Sequence, residues 1–157
     1  MDETTGSGTA SPRSVLETRV GFLLTQVGFG VARGFKERLT SLGLEPPHFG
    51  VLQAVAAVEG VSQQTLGQMV HIPPSRMVTF VDALESRGLV ERRRNLADRR
   101  AYAVHLTPEG RRILTEAIQV AAEYEAQIFK DLEQVEQDQF IAKLRQVAIN
   151  IGMKLHP

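Results

Sequence analysis

Apolar residues Leu16, Val20, Leu23, Val27, Val31, Phe35 and Leu39 recur at steps of three and four, the period of one helix face. They predict a first helix of about 25 residues, from Leu16 to a stop near Gly43. Gly21, Gly28, Gly30 and Gly34 lie inside it, each costing about 1 kcal/mol against alanine. They imply a bend or the close approach of another backbone or a ligand, unless they are simply tolerated. Pro46 and Pro47 open a second apolar helix through Phe49 to Val58, closed by Gly60. Ser62 is suited to cap a short helix from Gln63 to Val70, with Leu66, Met69 and Val70 as its buried side. After a break at His71 to Pro73 a further helix runs from Pro74 to Arg87, with Gly88 at its C-terminal cap.

The period then falls to two. Leu89 to Arg94 and Ala101 to Leu106 are strand-like around the polar segment 95–100 and predict a two-stranded hairpin. Thr107 and Pro108 start another helix, which continues through Ile113, Leu114, Ile118 and Tyr124 to Phe129. A last helix follows the acidic segment 133–138, with Phe140, Ile141, Leu144, Val147, Ala148 and Ile151 on its apolar face. The order is helix, helix, short helix, tight turn, helix, hairpin, long helix, helix. The fold class is therefore mainly α with a small β-hairpin wing, and its centre is a winged helix-turn-helix.

In the helix from Pro74 to Arg87, Met77, Phe80, Val81 and Leu84 stand at i, i+3, i+4 and i+7, so they face inward against Leu66 and Met69. Ser75, Arg76, Thr79, Asp82 and Ser86 are left outward. Short hydroxyls and one arginine can enter a major groove, although on the helix alone they read equally well as solvated residues. Pro73 and Pro74 have no backbone N–H to offer a phosphate, so the hairpin must supply much of the attraction. It carries Arg92, Arg93, Arg94, Arg99 and Arg100, against the acids Glu91 and Asp98. A run of arginine is commonly a solvated face; here it flanks a turn, and guanidinium groups suit a narrow minor groove. Asp98 can hold Arg99 or Arg100 in one rotamer, or make an Asx-type turn.

Charge sharpens this picture. The 157 residues have zero formal net charge, which argues against a protein that coats nucleic acid indiscriminately. Residues 71–112 nevertheless hold 9 basic and 5 acidic side chains, while residues 1–70 hold 5 and 6 and residues 113–157 hold 4 and 7. Positive charge is concentrated in the one stretch that holds the helix from Pro74 and the hairpin. With no cysteine, disulfides and thiolate metal sites are excluded, which fits a cytoplasmic protein. No apolar run approaches the roughly 20 residues of a membrane span. His48, His71, His105 and His156 lack paired ligand spacing, so neither a metal nor a cofactor is expected. Nucleophile-elbow, phosphate-loop and zinc-hydrolase motifs are absent, and no catalytic residues are assigned.

Val81 to Arg92, followed by Asp98-Arg99-Arg100-Ala101 and Leu106-Thr107-Pro108-Glu109-Gly110, resembles the MarR family of transcriptional regulators across recognition helix, wing and following helix. The likeness extends over roughly residues 15–152 with the flanking helices. It implies a sequence-specific repressor that binds an inverted repeat in double-stranded DNA as a homodimer with interlocked terminal helices. By position, Ser75, Arg76 and Thr79 fall on the recognition-helix contacts and Asp98 and Arg100 on the Asp-x-Arg wing motif; from the hairpin's run of arginine, Arg94 and Arg99 join them as candidate DNA contacts. Pro73 and Pro74 depart from the polar or basic residues frequent at those positions. The expected organisation is a flexible tail over 1–12, dimerisation helices in 13–45 and 108–157, and a DNA-reading lobe over 46–107. The resemblance also implies release by a small aromatic or phenolic effector, for which Phe22, Phe29, His48 and Phe49 are candidate contacts. A winged-helix protein-interaction module and a ligand-binding helical protein without DNA binding are the rival readings.

Overall fold

A computed structural model describes residues 18–94 and 102–153. Six helices and three short strands are present among them. They are α1 (Val20–Leu39), α2 (Pro46–Ala57), β1 (Val61–Ser62), α3 (Gln63–Met69), α4 (Pro74–Ser86), β2 (Val90–Arg94), β3 (Tyr102–Leu106), α5 (Pro108–Ile128) and α6 (Gln134–Asn150), with a 3-10 turn at Thr40–Leu42 after α1. The chain forms two compact units, the first ending at Ala117 and the second starting at Ile118.

Most boundaries follow local chemistry. Ser62 Oγ accepts from Thr65 N at the start of α3, and Thr107 Oγ1 accepts from Gly110 N at the start of α5, each satisfying an N–H that the helix leaves unpaired. Gly88, at φ +69°, turns the chain out of α4 into β2, a conformation that an L side chain resists. The first helix begins later than its apolar period suggests: Arg19 is extended, and helical geometry starts at Val20. The last one begins earlier, inside the acidic segment, because Glu133 and Glu136 form a reciprocal capping box.

The core of the first unit gathers Leu39, Leu44, Val51, Leu52 and Val55 with Leu66, Met77, Val81, Leu84, Val90, Val104 and Leu106, all buried. Ile113, Leu114 and Ala117 add the buried stripe of α5. Met77, Val81 and Leu84 therefore face inward as their spacing demands. The buried side of α3 differs from expectation, since Met69 is 36% exposed and Gly67 takes its place. The reason is a close backbone approach: Ile72 N donates to Gly67 O, and a Cβ at Gly67 would lie 2.9 Å from Ile72 O. In the turn between α3 and α4, His71 adopts a left-handed φ of +54°.

The hairpin is part of a three-stranded antiparallel sheet of order β1-β3-β2. Val61 and Ser62 pair with Val104 and Ala103, an addition too short to show any period in the sequence. In β2 and β3, Val90 opposes Leu106, Arg92 opposes Val104 and Arg94 opposes Tyr102.

In the second unit, Phe129 and Phe140 meet edge to face with centroids 6.0 Å apart. Phe140, Ile141, Leu144, Val147 and Ile151 are exposed in the single chain, as are Val20, Leu23, Val27 and Phe29 on α1 in the first unit.

Candidate nucleic-acid interface

The outward face of α4 is built by the same spacing that fills the core. With Met77, Val81 and Leu84 buried, Ser75, Arg76, Thr79, Asp82 and Ser86 are all exposed. Val78 shares this surface, an apolar member that the inward quartet does not reveal. Thr79 Oγ1 donates to Ser75 O at 3.3 Å, which leaves its lone pairs for a donor outside the protein. The Arg76 guanidinium lies 6.0 Å from the centre of the Phe80 ring, in reach of a cation–π contact.

The strand arginines play different roles. Arg94, at the end of β2, is exposed and has no ion-pair partner among the described residues. Arg93 pairs with Glu91 at 2.5 Å. Arg92 is turned inward, held by Gln63 of α3 and by Asp82 and Glu85 of α4, so its charge is engaged within the protein rather than offered to phosphate. Burial alone would lower its pKa, but hydrogen bonds and charge from Asp82 and Glu85 outweigh burial and raise it. Strand alternation holds the signal for this: Arg92 lies on the side of Val90, and Val90 is buried. Asp98, Arg99 and Arg100 lie outside the described residues.

Arg87 closes α4. Its guanidinium donates to Gly43 O at 2.6 Å and to Leu42 O at 2.9 Å, fastening the end of α4 to the turn after α1. No sequence pattern points to this residue, because its carbonyl acceptors stand 44 and 45 positions away.

The ring contacts of the candidate effector residues run to other side chains rather than to one another among the described residues. Phe49 is buried and meets Phe35 edge to face at 5.6 Å. His48 is half-buried, accepts from Glu45 N through Nδ1, and stands 5.4 Å from Phe80. Phe22 is half-buried on α1 and Phe29 is 71% exposed; among the described residues no ring contact joins either to His48 or Phe49.

An exposed hydroxyl-and-arginine helix beside an arginine-bearing hairpin defines a winged helix-turn-helix regulator. A sequence model of the MarR family matches residues 42–101. A putative transcriptional regulatory protein for the hcr operon of Thauera aromatica is 30% identical over 129 residues, covering 82% of this chain and 78% of that protein. Among solved structures, the transcriptional repressor CouR bound to a 23-mer DNA duplex is 28% identical with a TM-score of 0.78, covering 89% of this chain and 99% of that one. CouR from Rhodococcus jostii RHA1 bound to p-coumaroyl-CoA is 30% identical with a TM-score of 0.71, covering 90% and 98%. The chain belongs to the MarR family and is a transcriptional regulator of that type. No helix among the described residues is long and apolar enough to cross a membrane.

Proposed function

We propose that the protein represses transcription as a homodimer, each protomer placing α4 in a major groove and its wing in the neighbouring minor groove of an inverted repeat. Ser75, Arg76 and Thr79 are the helix contacts. Arg94, Arg99 and Arg100 are the wing contacts, with Asp98 ordering the tip. The observation that carries the reading is the outward face of α4, where Ser75, Arg76 and Thr79 are exposed on a helix whose opposite side is locked by buried Met77, Val81 and Leu84. The DNA-bound CouR neighbour supports it.

Residues 46–107 are the reading lobe in this account, 13–45 and 108–157 supply the dimer contacts, and 1–12 are a tail. The apolar positions that α1 and α6 leave exposed in one chain support pairing, because monomers rarely keep such surfaces uncovered. The protein acts by binding rather than catalysis, in the cytoplasm, as its regulator relatives suggest. A small aromatic or phenolic effector near Phe22, Phe29, His48 and Phe49 releases the operator by binding better to the lobe spacing that does not fit DNA. The p-coumaroyl-CoA complex of CouR supports that class of ligand.

Selection of duplexes from a random-sequence library tests the proposal. Enrichment of an inverted repeat with half-site centres about 34 Å apart is expected. Recovery of no sequence preference at low salt contradicts it.

A further inference from the structure

We infer that Arg92 is a positioning residue that locks the first strand of the wing to the recognition helix, so that helix and wing meet DNA as one rigid reader. The inference rests on the proposed DNA-binding reading and adds a residue that touches no DNA.

Two helices of the lobe converge on this side chain. Its Nε donates to Gln63 Oε1 of α3 at 3.1 Å, its Nη2 to Asp82 Oδ1 of α4 at 2.5 Å, and its Nη1 to Glu85 Oε2 of the same helix. Glu85 also takes the backbone N–H of Arg92 at 3.0 Å, so one carboxylate holds both strand and guanidinium. The Arg92 side chain is 19% exposed, against 61% for Arg93 next to it. Reaching a phosphate would mean abandoning three acceptors at once. Gln63 tightens the constraint: its Nε2 is buried without a hydrogen-bond partner among the described residues, and flipping the amide would set that NH2 against the guanidinium.

The clamp also settles a conflict of charge. Asp82 shares the outward face with Ser75 and Thr79, seven and three residues before it, where a bare carboxylate would repel phosphate. Arg92 neutralises it while tying it to the wing.

The sign of one experiment separates positioning from plain electrostatics. Asp82→Asn with Glu85→Gln removes two negative charges from the reading helix. If charge alone mattered, affinity for every duplex would rise. Positioning predicts that affinity for the inverted repeat enriched by the wild type falls, while affinity for mixed-sequence DNA rises or holds. Arg92→Ala should lower affinity for the enriched duplex by roughly tenfold or more. The slope of log affinity against log salt should stay unchanged, whereas Arg94→Ala, which removes one phosphate contact from each protomer of the dimer, should reduce it by about two. Thermal melting of each variant verifies that the lobe is folded, and the near-isosteric double variant serves if Arg92→Ala is not. Tighter operator binding by the folded double variant, or a loss of about two units of slope in Arg92→Ala, overturns the inference while leaving DNA binding intact. A wild-type protein that binds no duplex overturns the DNA reading and this role together.

Discussion

The ring of His48 stands edge-on to Phe80, centroids 5.4 Å apart and planes at 89°, joining the first turn of α2 to the recognition helix. Arg76 lies 6.0 Å from the centre of that same Phe80 ring, so a candidate effector contact and a candidate DNA contact share one aromatic neighbour. A ligand that moved His48 would be felt at Phe80.

His48 makes stability depend on pH. Burial holds its pKa below the ordinary 6.5, with the Arg87 charge adding to the effect and the Glu45 carboxylate opposing it. The unfolded chain therefore binds the proton more readily, and its contribution to stability is complete above pH 6.5 and lost as pH falls through the folded value. Urea titrations at pH 7.5 and 5.5 should give lower stability at 5.5, and His48→Gln should narrow the gap. Glu109, held below its ordinary 4.5 by the Arg112 hydrogen bond, adds a loss only at more acidic pH. A gap that His48→Gln leaves unchanged would assign the effect elsewhere.

Arg87→Ala removes two charge-assisted hydrogen bonds to the carbonyls of Leu42 and Gly43. It should cost about 1.5–3 kcal/mol by chemical denaturation. Arg87→Lys keeps the charge but loses the planar fork and should recover less than half of that. Equal stability of the alanine variant and the wild type would show that the fastening is idle.

Glycines that look alike in sequence should respond oppositely to alanine. A Cβ at Gly110 would stand 1.9 Å from Leu89 O, a carbonyl that also receives Thr107 N. Gly110→Ala should therefore cost about 3 kcal/mol, the upper part of the range for overpacking. At Gly21, Gly28 and Gly30 of α1 an added Cβ would meet nothing within 4 Å, so no backbone among the described residues explains them. Gly21→Ala should raise the midpoint of thermal unfolding, gaining up to about 1 kcal/mol from helix propensity.

Leu144 and Phe140 are exposed on α6 of a single chain. Leu144→Asp should shift the sedimentation coefficient from dimer to monomer, because a buried unpaired carboxylate at the proposed interface is costly. An unchanged dimer would place the pairing surface elsewhere.

Much of this is legible in the residues. Met77, Val81 and Leu84 announce their buried side by spacing, and Ser62, Thr107 and Gly88 announce the element boundaries by the groups that helix ends and sharp turns require. Three features are not. Val61 and Ser62 form a strand too short for alternation to register. Met69 loses its place in the core to Gly67, because contact between two backbones carries no hydrophobic signal. Arg92 looks like its phosphate-seeking neighbours in the sequence, although sharing a strand face with Val90 turns it toward carboxylates. Asp98 and Arg100 are assigned by resemblance and Arg99 by the arginine run of the hairpin, and all three lie outside the described residues.

Hydroxyl-radical footprinting of the wild-type protein on its enriched duplex tests the central claim most directly. Two protected blocks, symmetric about a dyad and centred about 34 Å apart, are predicted for a pair of winged lobes on successive grooves. A single block without symmetry, or uniform protection along the duplex, would contradict the account.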